Sequence, residues 1–388
     1  MIEIRNLDVV FGPNPAAGLD LLDQGLEREE IRQKTGQVVG VKNASLQVDK
    51  GEICVLMGLS GSGKSSLLRC VNGLNPVTRG EVRIQHEGAM VDFVKADKAT
   101  QRDIRMRRIS MVFQKFALMP WLTVERNVSM PLEIQKMHKT EIKRRVDQQL
   151  ELVGLSEWRN LKPGELSGGM QQRVGLARAL SMETDVLLMD EPFSALDPLI
   201  RTQLQDELLQ LQQELKKTIL FVSHDLDEAL KLGNHIAIMK DGEIVQHGRP
   251  ENIVLNPQTD YVREFVAHTN PLNVLKAASI MLDLNDVPLT EQGYCLNKRG
   301  GYWLSADRQT VNVKGETFPL QFWQSGQALE TLNKQPVCVA ADVPMREVME
   351  LRYFTTHPVL IADQDKIVGF IGDRELYHTL LGKMLTDD

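Results

Sequence analysis

The sequence predicts an α/β fold built on a mostly parallel sheet buried on both faces, followed by a smaller α+β domain. Three apolar runs carry the first part of that expectation: Ile53-Cys54-Val55-Leu56-Met57, Val186-Leu187-Leu188-Met189 and Ile219-Leu220-Phe221-Val222. Strands covered on both faces read as unbroken apolar runs, whereas half-exposed strands alternate. Each run breaks abruptly into polar chemistry, with a glycine-rich loop after the first, Asp190-Glu191 after the second and Ser223-His224-Asp225 after the third. Open α/β sheets gather their ligand at the carboxyl ends of the strands, so the three groups are expected on one rim.

The loop Gly58-Leu59-Ser60-Gly61-Ser62-Gly63-Lys64-Ser65 has the spacing of a phosphate-binding loop, and it lies between a strand and a helix-like stretch, Lys64 to Leu74. Gly58, Gly61 and Gly63 let successive N–H groups turn toward an anion, where a Cβ would obstruct them. Ser60 and Ser62 within the loop, and Ser66 just behind it, complete the expected nucleotide-binding set. Lys64 supplies a point charge for the β and γ phosphates, and Ser65 a hydroxyl for Mg²⁺. Asp190 stands where it can hold Mg²⁺ through water, and Glu191 where it can polarise the attacking water as general base; an acidic pair after a strand also serves as a helix N-cap. His224, one strand over, is placed to reach the γ-phosphate and orient the water.

A second glycine-rich segment, Leu166-Ser167-Gly168-Gly169-Met170-Gln171-Gln172-Arg173, leads into a helix-like run from Met170 to Leu180. It presents a hydroxyl and helix N-terminal amides to an anion, although the chain already has its own phosphate loop. With this octet the sequence resembles the ATP-binding-cassette (ABC) ATPases. The resemblance implies a P-loop RecA-like core with an antiparallel β subdomain and an α-helical subdomain at about 115–170. It also implies ATP and Mg²⁺ as ligands and a head-to-tail homodimer, in which Ser167, Gly168, Gly169 and Gln171 cover ATP held by the opposite subunit. Ser194-Ala195-Leu196-Asp197 resembles the D-loop of the family, and Asp197 joins the ATP-binding set. Gln114 matches the Q-loop glutamine, which reaches Mg²⁺ or the water. Phe11 stands where the family stacks an aromatic ring on adenine, or equally well in the core.

Residues 13–36 insert a polar, helix-prone stretch after Phe11, ending in Ile31-Arg32-Gln33-Lys34-Thr35-Gly36. That insertion, with Phe113-Gln114-Lys115-Phe116-Ala117-Leu118-Met119-Pro120 and Phe193-Ser194-Ala195-Leu196-Asp197-Pro198-Leu199-Ile200-Arg201, resembles the ATP-binding subunits of quaternary-amine importers, choline systems foremost and glycine betaine next. The implied partners are membrane permease subunits and, indirectly, an extracytoplasmic amine-binding protein, at the cytoplasmic face of the inner membrane. Met119, Pro120 and Trp121 are candidates for the groove that receives a permease helix, or form an exposed loop. The alternatives are another importer class or a soluble non-transport ABC protein; the latter needs tandem cassettes or a long coiled-coil insertion.

Composition agrees. A net charge of −7 and 42% hydrophobic residues over 388 residues suit two domains with sizeable cores and imply no basic surface for nucleic acid. No apolar stretch approaches the roughly 18 residues of a spanning helix, and Met1-Ile2-Glu3-Ile4-Arg5 is no signal peptide. Cys54, Cys70, Cys295 and Cys338 lack metal-ligand spacing and read as small buried apolar residues of a reducing compartment. Strands are expected near 2–5, 38–48, 52–57, 81–84 and 109–113, a surface helix over Glu141 to Val153, and two closing helices within 251–267. Arg102, Arg105, Arg107 and Arg108 read as a solvated helix face. A boundary near Asn270-Pro271 divides residues 1–270 from 271–388. Within the second part, residues 337–385 resemble a cystathionine-β-synthase-type (CBS) repeat: strand Val337 to Val339, helix Met345 to Tyr353, strands His357 to Ala362 and Ile367 to Ile371, helix Arg374 to Leu385. Gly372 and Glu375 replace the hydroxyl and ribose-binding aspartate of such repeats, which points to a structural or dimerising role. The first half of this part shows no equally clear copy.

Overall fold

The computed structural model describes residues 1–380, apart from Ala195, His268, Pro271, Asn273, Lys298, Arg299, Asn333 and Asp365. Ala195 of the D-loop-like segment, Pro271 at the expected boundary and residues 381–385 of the last expected helix therefore lie outside the described residues. The chain divides into two compact units, Met1–Pro250 with Gln258–Val262, and Glu251–Pro257 with Arg263 onward. The division falls earlier than Asn270 because Leu255, in the first of the two closing helices, packs against the core of the second unit.

The first unit opens with β1 (Ile2–Phe11), then the insertion as two short helices, α1 (Pro15–Asp23) and α2 (Arg28–Thr35). Asn14 caps α1, and Leu22 and Ile31 bury themselves with Val10 and Val39 in a small core of their own. The Arg28 side chain donates to Val39 O at 2.7 Å, fastening α2 to the next strand. β2 (Val38–Val48), β3 (Ile53–Met57), α3 (Lys64–Val71), β4 (Arg79–His86), β5 (Ala89–Asp92), α4 (Lys98–Arg107) and β6 (Ile109–Val112) follow. β5 was not expected, since its four residues are exposed or half-buried and give no apolar signal; the turn Glu87-Gly88, both at positive φ, folds it back on β4. On α4 only Ile104 is buried, so the arginine run is solvated, with Arg108 pairing to Asp185 at 2.6 Å.

The helical part comprises α5 (Val124–Ile134), α6 (Lys139–Leu152) and α7 (Gly168–Ser181), with N-caps at Thr123, His138 and Ser167. The chain then returns through β7 (Val186–Asp190), α8 (Pro198–Leu215), β8 (Thr218–Val222), α9 (Leu226–Leu232), β9 (His235–Lys240) and β10 (Glu243–Gly248). Six strands form one sheet in the order β10-β9-β3-β8-β7-β6, parallel except for β10, and every residue of β3, β7 and β8 is buried. The register Leu56↔Val222 and Asp190↔Val222 sets the ends of all three on one rim. An antiparallel sheet, β2-β1-β4-β5, packs into the same core through Ile2, Ile4, Val82 and Ile84.

The two closing helices are α10 (Pro250–Leu255) and α11 (Asp260–Val266). In the second unit α12 (Ala277–Ile280) and β11 (Leu282–Asp283) precede an antiparallel meander, β12 (Leu289–Thr290), β13 (Gly293–Asn297), β14 (Tyr302–Leu304), β15 (Thr310–Val313) and β16 (Glu316–Pro319). After β17 (Gln321–Phe322) come β18 (Val337–Ala340), α13 (Met345–Thr355), β19 (Val359–Asp363), β20 (Lys366–Ile371) and α14 (Asp373–Leu380). Their sheet runs β11-β20-β19-β18-β17.

Candidate nucleotide site

Two glycines make the phosphate loop sterically. Gly58 and Gly63 sit at φ of 140° and 103°, and a Cβ on them would lie 2.1 Å from Met239 O and 2.3 Å from Gly40 O, backbone atoms that cannot yield. Ser60 and Gly61 lie exposed at the tip, while Ser62 is buried with its Oγ enclosed and unpartnered. An orphaned, buried hydroxyl in a glycine-rich loop fits an anion-binding cradle. Lys64, 5% exposed, donates to Gly58 O at 2.8 Å and Leu59 O at 3.0 Å. Burial lowers its pKa, opposed by the nearby Glu191 and Asp190 charges, so an anion in the loop would favour the charged form of a largely desolvated ammonium.

Beside the loop, fully buried Asp190 accepts from Ser65 Oγ at 2.7 Å and from the Arg69 guanidinium at 2.8 Å. A hydroxyl and a buried carboxylate in contact form an oxygen donor pair suited to a hard divalent cation that keeps most of its waters and phosphate ligands. The sequence reading missed Arg69, although its spacing of four from Ser65 puts both on one face of α3. Glu191 adopts φ 48° and donates its N–H to Val222 O at 3.1 Å. Its Oε2 accepts from Gln114 Nε2 at 2.9 Å and lies 3.6 Å from His224 Nδ1. Gln114, Glu191 and His224, distant in sequence, thus converge on one carboxylate.

The remaining expected residues surround this centre less tightly. Phe11 is half-buried, its ring over Gly40, where a Cβ would come within 2.5 Å of it and 3.4 Å of Ser66 Oγ. Ser167 Oγ accepts the Met170 N–H at 3.3 Å as the cap of α7, with Gly168 and Gly169 in the first turn. Gln171 donates to Pro163 O and Leu166 O, so its amide nitrogen braces the loop before α7 rather than pointing to a phosphate. Asp197 Oδ1 caps α8 through Ile200 N–H at 3.1 Å. Also unforeseen was Arg178, 8% exposed, which donates to the Phe116 and Ala117 carbonyls at 2.8 and 2.6 Å and ties α7 to the Gln114 loop; in the sequence it reads as one more helix-surface charge. Cys54, Cys70 and Cys338 are buried as expected, whereas Cys295 is half-buried on the meander; burial pushes the Cys54 and Cys70 thiols up to about 12.

A phosphate cradle, an oxygen pair for a divalent cation and a carboxylate held by an amide, with an imidazole 3.6 Å away, together define a nucleoside-triphosphate hydrolase. An ABC transporter family pattern matches residues 41–194. The chain is 49% identical over 72% of its length, and 69% of the relative's, to the glycine betaine/proline betaine transport system ATP-binding protein ProV of Escherichia coli. It is 39% identical to the glycine betaine/carnitine transport ATP-binding protein GbuA of Listeria monocytogenes, over 95% of both chains. An ATP-binding cassette solved as a dimer in a post-hydrolysis state with ADP and Pi superposes on 64% of this chain and 99% of its own, with TM-score 0.55 and 31% identity. The chain belongs to the ATP-binding subunits of ABC transport systems, and it is an ATPase. No helix among the described residues is long and apolar enough to cross a membrane.

Proposed function

We propose that this ATPase powers import of a fully alkylated amine, working as a homodimer against membrane permease subunits at the cytoplasmic face of the inner membrane, with an extracytoplasmic binding protein delivering the amine. The observation that carries it is 39% identity over 95% of a relative named for glycine betaine and carnitine, a match that includes the second unit as well as the cassette. Glycine betaine, proline betaine and carnitine share a permanently charged, alkylated nitrogen. Choline, placed first by the sequence, has the same nitrogen and remains in the class; the relatives' names favour the betaines.

In this reading the loop amides, Lys64 and the N-terminus of α3 hold the phosphates and Phe11 stacks on adenine. Ser65 and Asp190 would hold Mg²⁺, which neutralises phosphate charge when bound. Glu191 takes the proton of the attacking water while Gln114 and His224 keep the carboxylate aimed. Ser167, Gly168 and Gly169 of one subunit cover the other subunit's ATP. Arg178 transmits that engagement to the Gln114 loop, and Asn127, bonded to the N–H and carbonyl of Met119, holds Met119-Pro120-Trp121 in place for the permease; Trp121 is 69% exposed. The order β18-α13-β19-β20-α14 supports a CBS-like, dimerising or regulatory second unit. Reconstitution with the permease and binding protein tests the whole: glycine betaine or choline should stimulate ATP hydrolysis, and stimulation by sulfate with none by any alkylated amine refutes it.

A further inference from the structure

His224 is itself 60% exposed, yet the residues around it are locked from below. Ser223, 2% exposed, donates its hydroxyl proton to Glu228 Oε2 and accepts the Asp225 N–H at 3.0 Å. Glu228, 7% exposed, takes a second bond on Oε1 from Gln205 Nε2 at 3.0 Å, and its own N–H is capped by Asp225 at 3.1 Å. One turn before Gln205 on α8, Arg201 donates to Asp225 Oδ2 at 3.2 Å and to Leu196 O at 3.3 Å, so a single guanidinium spans the segment after Glu191 and the segment after His224. An open pocket of about 20 Å³, room for one water, lies between Glu191, Ser194 and Arg201 on one side and His224, Asp225 and Glu228 on the other.

We infer that Arg201, Gln205 and Glu228 are positioning residues that set the His224 imidazole against Glu191, and so govern the hydrolytic step rather than nucleotide binding. The gap between His224 Nδ1 and Glu191 Oε2, 3.6 Å, is longer than a hydrogen bond, so a shift of a few tenths of an ångström in this loop decides whether the two engage. Misplacement by 1 Å costs on the order of a hundredfold in rate. No hydrogen bond or ion pair joins Arg201, Gln205 or Glu228 to the phosphate loop, Ser65 or Asp190 among the described residues. Burial raises the Glu228 pKa against the two donors that favour its ionised form, a cost that a purely space-filling residue would not carry.

The test uses the full-length protein, with kcat and KM for ATP measured separately and the His224 ring-proton resonance, assigned by its loss in His224→Ala, followed by NMR. Glu228→Leu strands the Gln205 donor and cuts the tie between Ser223 and α9, and should lower kcat about tenfold or more while KM stays within about twofold. Glu228→Gln keeps the shape and both bonds, Ser223 turning its proton to Asp225 O at 3.3 Å, and should restore kcat. The His224 resonance should move in Glu228→Leu and return in Glu228→Gln. Should Glu228→Leu not fold, Gln205→Leu carries the same readings from the α8 side. An unmoved His224 resonance, an unchanged kcat, or a loss that appears in KM instead of kcat overturns the inference.

Discussion

Replacing Glu191 by glutamine changes one oxygen to an NH₂ group at the carboxylate on which Gln114 and His224 converge. The amide is the same size, and it keeps an oxygen to accept from Gln114, so the φ 48° backbone and its bond to Val222 O are undisturbed. Lys64 donates to Gly58 O and Leu59 O, and Asp190 accepts from Ser65 and Arg69, so these hydrogen bonds do not depend on Glu191, whose charge reaches Lys64 only through space. What is lost is basicity, and loss of a general base slows a reaction by about 10² to 10⁴, a barrier increase of about 2.7 to 5.4 kcal/mol. Single-turnover hydrolysis of radiolabelled ATP, beside equilibrium binding of the same nucleotide, measures both halves. Binding within a few-fold of wild type with hydrolysis down by two decades or more is expected. Hydrolysis at the wild-type rate would show that the proton leaves by another route and that Glu191 only supports Gln114.

Mixed dimers carrying Ser167→Arg in one chain and Lys64→Ala in the other should retain one intact composite site and ATP-driven closure seen by light scattering, while both mutant homodimers close no further than the nucleotide-free protein; equal behaviour of all three rules out the trans arrangement. In the Lys64→Ala chain, calorimetry with AMP should show no micromolar binding, because the Glu375 carboxylate is engaged with the Gly372 N–H at 2.8 Å instead of facing a ribose. Burial, with a smaller push from His235, lowers the His247 pKa below 6.5, so the unfolded chain takes up the proton first. Denaturant unfolding should therefore show stability present above pH 6.5 and lost as pH falls below it, and His247→Gln should flatten that slope.

The cassette was legible because its signals are local. Three strands buried on both faces must be apolar throughout, the phosphate loop needs glycine wherever a neighbour's carbonyl comes within about 2 Å of the missing Cβ, and the helix caps Ser167 and Asp197 lie one turn from what they cap. The exposed hairpin strand β5 and the short, half-buried strands of the Leu289–Pro319 meander carry no such periodicity, so only pairing with their neighbours reveals them. The sequence by itself marked the candidates for holding phosphate, a cation and a water. Tertiary structure alone decided that Arg69 shares Asp190 with Ser65, that Arg178 clasps the Gln114 loop and that Arg201, Gln205 and Glu228 lie beneath His224. Those are contacts of charged and amide side chains between elements far apart in the chain, and a polar residue in sequence looks the same whether it faces solvent or a buried partner.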